Sequence, residues 1–213
     1  MFVLSDTDPF PAAELADEDG LLAIGANLSV ERLLDAYEQG IFPWYNEGEP
    51  IQWYCPDPRF VLFPQHLNIS KSMKTVLGNG SFQFTINRAF PAVIENCKTI
   101  FRKDQPGTWI HPEMIAAYTA LHERGYVLSA ESWQQGKLVG GLYGVLLGHV
   151  FFGESMFSKV SNASKFAFIK FVQYLEKKNV QLIDCQIYTP HLGSLGAGLM
   201  DREDFLDVLK VGI

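Results

Sequence analysis

Between Val127 and Phe157 three strand-like runs follow one another almost without a break. They are Val127 to Trp133, Leu138 to Leu147 and Val150 to Phe157, separated only by Gln135-Gly136-Lys137 and by Gly148. Connections this short force consecutive strands to turn back on each other, because a parallel crossover needs about a dozen residues or more. An antiparallel meander is therefore expected. The most apolar stretch, Leu138 to Gly153, lies inside it; it is short, Gly-rich and contains His149. It reads as buried strand and not as a membrane span, which needs about 20 apolar residues.

Helical periodicity flanks the meander. Met114, Ile115, Tyr118 and Leu121 recur at helical spacing between Pro112 and Gly125, and Phe166, Ile169, Phe171, Val172 and Leu175 do so within Asn162 to Lys178. Val180 to Gln186 follows as a further strand. Helix, antiparallel strands, helix, strand is an α+β order, and by analogy it points to the mixed sheet of N-acetyltransferases (the GNAT type). The N-terminal part is less regular. Through Ala26 it reads as a loop punctuated by Pro9, Pro11 and Gly20. Ser29 then suits an N-cap for a helix over Val30 to Gln39, with Leu33, Leu34 and Tyr37 on one face and Gly40 as its stop. Ile51 to Phe63 reads as short strands and turns, Phe82 to Ile86 as a strand and Phe90 to Thr99 as a helix. Short helices are expected near His191 to Gly198 and from Arg202 to Lys210. The expected division is a small mixed N-terminal domain over residues 1–62 and a GNAT-like catalytic domain over 63–213.

Composition narrows the function. Hydrophobic residues make up 47% of the 213 and charged residues 19%, a globular balance. Cys55, Cys97 and Cys185 are odd in number and without CxxC spacing, which disfavours a disulfide framework or a zinc site and fits a reduced, cytoplasmic setting. The opening segment lacks the basic and apolar regions of a signal peptide. A net charge of −7 argues against general nucleic-acid binding and suits a cationic substrate. Yet Lys71, Lys74, Arg88, Lys98, Arg102 and Lys103 concentrate in one stretch. They read either as a patch for an RNA backbone or as an ordinary solvated surface.

Several familiar signatures are absent: there is no P-loop, no HExxH and no Rossmann fingerprint. Gly153-Glu154-Ser155 lacks the second glycine of a nucleophile elbow, since position 157 is Phe. Lys159 to Lys165, where an acyl-CoA phosphate cradle would sit, contains no glycine.

What is present is an ordered series of short segments. Asp19-Gly20-Leu21-Leu22-Ala23-Ile24-Gly25, Gly40-Ile41-Phe42-Pro43-Trp44 and Pro56-Asp57-Pro58-Arg59 come first. Gly107-Thr108-Trp109-Ile110, Val139-Gly140-Gly141-Leu142-Tyr143-Gly144 and Gly153-Glu154-Ser155-Met156-Phe157-Ser158 follow. Asn162-Ala163-Ser164-Lys165, Ile183-Asp184-Cys185-Gln186 and Ser194-Leu195-Gly196-Ala197 complete it. Together, from about Asp19 to about Leu206, they closely resemble the bacterial leucyl/phenylalanyl-tRNA–protein transferase family. The sequence departs from the family pattern at Ala26-Asn27 and at Pro190, neither of them a matched catalytic position.

The resemblance implies transfer of Leu or Phe, and less well Met, from aminoacyl-tRNA to the N-terminal Arg or Lys of acceptor proteins, marking them for N-degron degradation. It implies no cofactor and no membrane, and a monomer is expected. Trp44 and Trp109 match the residues around the 3′-terminal adenosine; read without the resemblance, a lone Trp is more often core, but the flanks Phe-Pro-Trp and Gly-Thr-Trp read as loops or strand ends and point toward function. Leu142, Phe151, Phe168, Phe171 and Ile183 match the pocket for the transferred side chain, and they would equally serve as core. Asp184, Gln186 and Glu154 match the catalytic cluster, with Gln186 either the base for the amine or its organiser. Lys71, Lys74, Arg102 and Lys103 are the candidates for the tRNA backbone. In a strand through Gln186, Asp184 and Gln186 would share a face while Cys185 points away, which removes Cys185 as a nucleophile. The rival readings are an acyl-CoA-dependent N-acyltransferase and a non-catalytic tRNA-binding adaptor.

Overall fold

The computed structural model describes residues 1–100 and 108–213. The chain is α+β and holds two sheets. The smaller has the order β1 (Phe2–Leu4), β2 (Leu21–Gly25), β4 (Gln52–Tyr54), β3 (Phe42–Pro43). Its first pair is parallel and the others antiparallel. The stretch before Ala26, expected as loop, thus carries two strands. Their bonds join Phe2 to Ala23 and Leu4 to Gly25 across a long intervening segment, and so short a run has no periodicity of its own to announce it. α1 (Val30–Glu38) follows as expected. Ser29 caps it by accepting the Arg32 N–H, and Gly40 closes it at φ +72°.

The larger sheet begins at β5 (Arg59–Leu62), which lies inside the segment expected as the small N-terminal domain. It continues with β6 (Gln83–Ile86), β7 (Val127–Gln134), β8 (Lys137–Leu147), β9 (Val150–Ser158), β10 (Leu182–Asp184) and β11 (Gly198–Met200), in the spatial order β11-β5-β10-β9-β8-β7-β6. The meander is present within a residue of its expected bounds. β10 runs parallel to β9, the arrangement that the helical crossover between them requires. That crossover is α5 (Ala163–Lys177). α3 (Phe90–Thr99) and α4 (Pro112–Glu123) also match expectation.

Three further expectations are corrected. α2 (Lys71–Gly78) was not foreseen, although Ser70 is its cap and accepts the Met73 N–H. The helix expected near 191–198 is only α6 (Pro190–Gly193), and β11 follows it, a strand too short to show alternation. β10 stops at Asp184 instead of continuing to Gln186. The chain closes with α7 (Arg202–Gly212).

Strand alternation sends side chains of the larger sheet into two apolar layers. Leu142, Phe151 and Ile183 pack toward α5. Tyr143, Phe152 and Leu182 pack with Tyr37 of α1, Tyr118 of α4 and Phe205 of α7. Leu22 and Trp53 of the smaller sheet belong to this second layer, so the two sheets share one core. Among the described residues no helix is long and apolar enough to cross a membrane.

Candidate active site

The site arises where two neighbouring strands part. β9 and β10 pair only from Val150–Leu182 to Phe152–Asp184. Beyond that point β9 runs on to Ser158 while β10 has ended. The gap opens into a cavity of about 600 Å³ lined by Gly153 to Ser158 on one side and Asp184 to Ile187 on the other. Phe42, Pro43, Trp44 and Trp109 line it too, as do Leu142, Phe151, Phe168 and Ile183.

Glu154 owes its direction to a β-bulge. Opposite β8, Tyr143 pairs with Ser155 and Gly144 with Gly153, which leaves Glu154 as the extra residue. A bulge of this kind re-aims a side chain. The Tyr37 hydroxyl donates to Glu154 Oε1 at 2.7 Å and the Tyr118 hydroxyl to Oε2 at 2.7 Å. The two phenolic oxygens are themselves 2.6 Å apart. Gln186 Nε2 donates to Oε1 at 3.1 Å. Burial pushes the Glu154 carboxyl up to about 7, against the opposing pull of the donated hydrogen bonds.

Asp184 is held differently. It is fully buried, and Arg59 grips it with two prongs, Nε to Oδ1 at 2.9 Å and Nη2 to Oδ2 at 2.7 Å. Oδ1 also accepts the backbone N–H of Gln186 at 2.8 Å. Gln186 lies outside the strand with φ +61°, so strand alternation is not what brings it to Asp184. The link is this turn-like hydrogen bond, and it reaches the Gln186 backbone, not its amide. Burial, and after it Asp184, pushes the Cys185 thiol up, which keeps the sulfur protonated and a poor nucleophile.

The remaining expected residues fall into four groups. Trp44 is 39% exposed and meets the edge of Tyr54, so it is no core residue; the tryptophan in the core is Trp53. Trp109 also lines the cavity. Phe171 does not line it and packs edge-on behind Phe151, with ring centroids 4.9 Å apart. Lys71 and Lys74 lie exposed on α2, away from the cavity lining. Arg102 and Lys103 lie outside the described residues. Among the described residues no cluster of His, Cys, Asp and Glu could hold a metal ion.

A family model described as leucyl/phenylalanyl-tRNA protein transferase matches residues 61–210, and the model of its N-terminal domain matches residues 26–57. The chain belongs to the leucyl/phenylalanyl-tRNA–protein transferase family. A transferase of that name from Flavobacterium johnsoniae is 58% identical over 201 residues, 94% of this chain and 95% of the relative. One from Christiangramia forsetii is 56% identical over 211 residues, 98% of this chain and all of the relative. A solved GCN5-related N-acetyltransferase from Kribbella flavida aligns at 10% identity and a TM-score of 0.40, over 79% of this chain and 60% of that one. In this member of the transferase family, sequence reasoning missed Arg59, Tyr37 and Tyr118. Arg59 closed the segment Pro56-Asp57-Pro58-Arg59 and was a charge opening the apolar run Phe60 to Phe63, but neither signal named its partner. The tyrosines gave none, because each sits on the apolar face of its helix and reads there as core.

Proposed function

We propose that the chain catalyses aminolysis of an aminoacyl-tRNA ester, moving Leu or Phe, and less readily Met, onto the N-terminal Arg or Lys of an acceptor protein. The observation that carries this reading is one cavity that joins two tryptophans, an apolar floor and the Glu154–Asp184–Gln186 cluster, in a chain of this family. The 3′-terminal adenosine lies against Trp44 and Trp109. Stacking of a base on an aromatic face is worth about 1–3 kcal/mol and is blind to the rest of the tRNA sequence. The transferred side chain enters among Leu142, Phe151, Phe168 and Ile183, with Phe171 backing Phe151.

The chemistry asks little of a base. A free α-amine titrates at about 7.7–8.0 and is partly nucleophilic at neutral pH, so the enzyme has mainly to align the reactants and stabilise the developing oxyanion. Gln186 is the organiser. Its amide nitrogen is spent on Glu154, and the amide oxygen is the atom that accepts an N–H of the incoming amine. Asp184 fixes the Gln186 backbone and Glu154 fixes its side chain. Glu154 also meets the amino group of the aminoacyl ester. Residues 1–62 contribute Phe42, Pro43 and Trp44 to the cavity lining and Tyr37 and Arg59 behind it, and residues 63–213 the rest. The reaction uses no cofactor, and the enzyme works as a cytoplasmic monomer that feeds N-degron degradation.

The test is transfer of label from Phe-tRNA to a peptide beginning with Arg, with and without ribonuclease pretreatment. Label should reach the peptide only in the untreated reaction. No transfer there sinks the reading, and transfer supported by acetyl-CoA in place of the tRNA would revive an acyl-CoA-dependent enzyme.

A further inference from the structure

Arg59 does more than stabilise the fold. Its side chain is fully buried, and its guanidinium lies between the rings of Phe42 and Phe205, 4.8 and 4.6 Å from their centroids. Phe42 belongs to β3, which leads directly into Trp44, and Phe205 belongs to the closing helix α7. Nε and Nη2 both go to Asp184, while the buried Nη1 has no partner. As a device for stability alone this is a poor arrangement. Desolvating two charges offsets most of their attraction, and an unpaired buried donor adds to the cost.

The pair has a geometric consequence that a hydrophobic pair could not have. The Asp184 carboxylate accepts from Arg59 twice and from the Gln186 N–H once, and Oδ1 bridges the two donors. Gln186 is thereby held at φ +61°, a left-handed conformation that residues bearing a Cβ rarely adopt. β5 adds backbone bonds on either side: the Cys185 N–H donates to the Phe60 carbonyl at 2.8 Å, and the Phe60 N–H to the Gln186 carbonyl at 3.3 Å. From that pinned backbone the Gln186 side chain reaches Glu154.

We propose that Arg59 is a positioning residue of the transfer reaction: by clamping Asp184 from beneath, it fixes the left-handed turn that aims Gln186 at the incoming amine. The inference rests on the function proposed above. Arg59 itself lines no part of the cavity and its polar partner is Asp184, so its loss should lower turnover far more than binding of the aminoacyl-adenosine end.

The experiment compares wild type, Arg59→Lys and Arg59→Gln. Binding-competent sites are counted by quenching of tryptophan fluorescence with a non-hydrolysable phenylalanyl-adenosine amide. Phe-tRNA transfer to an Arg-peptide is then expressed as kcat per competent site, which corrects for any loss of folded protein. Lys keeps the charge but loses the fork. It should lower kcat about tenfold and Gln about a hundredfold, the scale of a misplacement near 1 Å. KM and analogue affinity should stay within threefold of wild type. Gln within twofold of the wild-type kcat overturns the inference, as does a fall in analogue affinity parallel to the fall in kcat. Failure of both variants to yield any competent sites also overturns it and makes Arg59 a folding residue. Failure of the wild type itself to transfer label defeats the underlying function instead.

Discussion

Three oxygen contacts tie Tyr37, Tyr118 and the Glu154 carboxylate into a ring, at 2.6, 2.7 and 2.7 Å. Two phenolic protons can fill only two of them. Those two are the contacts to the carboxylate, and they favour its ionised form; burial outweighs them and raises the Glu154 carboxyl to about 7. A carboxyl raised in the folded state contributes stability that is whole below its unfolded value and is lost as pH rises through the folded one. Thermal midpoints should therefore fall between about pH 5 and pH 7.5, with Glu154→Gln flattening that slope. Turnover should move the other way, because the ionised carboxylate is the form that attracts an ammonium group. Tyr37→Phe removes a donor that favours the ionised form, so the limb near 7 should shift to higher pH. The acceptor amine also titrates nearby, and using one acceptor for both enzymes cancels it. A limb unmoved in Tyr37→Phe would assign that ionisation to another group. Glu154, Asp184 and Gln186 could be named from sequence because the short segments around them carry the family pattern. The ring could not, since a tyrosine on an apolar helix face shows no sign of its hydroxyl's partner until β9 is laid beside it.

Among the elements, the β8–β9 bulge sets the most. Gly144 sits opposite it, and a Cβ there would overlap the carbonyl oxygen of Phe152 and approach the Phe151 ring at 2.5 Å. Gly144→Ala must then push β9, Phe151 and Glu154 together. Overpacking of this kind costs about 1–3 kcal/mol. We expect a lower denaturation midpoint in urea and, per folded molecule, slower transfer. Unchanged turnover would mean that the bulge can shift without moving Glu154. Gly40 plays a similar part at the other end, where a Cβ would meet Phe205 at 2.9 Å. The meander and α5 were legible because long strands, tight turns and a sustained helical stripe are local signals. β1, β2 and β11 were not, since three to five residues hold too little pattern and their pairing is decided by chain far away. The end of β10 was illegible for a related reason. Val180 to Gln186 reads as strand, but the hydrogen bond from Gln186 to Asp184 turns the backbone aside.

At the scale of the whole molecule, a chain of net charge −7 is proposed to hold a polyanion. The cavity itself needs no basic residues, because stacking and apolar contact suffice for the adenosine and the amino acid. The body of the tRNA is another matter, and Lys71 and Lys74 on α2 are the described residues among the four candidates for it. α2 buries Met73 toward α5 and leaves Lys71 and Lys74 in solvent. Each phosphate contact contributes about −0.7 to −0.9 to the slope of log affinity against log salt concentration. If the two lysines touch two phosphates, Lys71→Ala/Lys74→Ala should weaken Phe-tRNA binding and flatten that slope by about 1.5. The same double variant should bind phenylalanyl-adenosine like wild type, since neither lysine lines the cavity. Measuring both ligands across a salt series separates the two surfaces. A slope equal to that of the wild type would make α2 a solvated helix and shift the tRNA body to another face. A loss for both ligands alike would mean that α2 acts through the fold, by way of α5, and not through its charge.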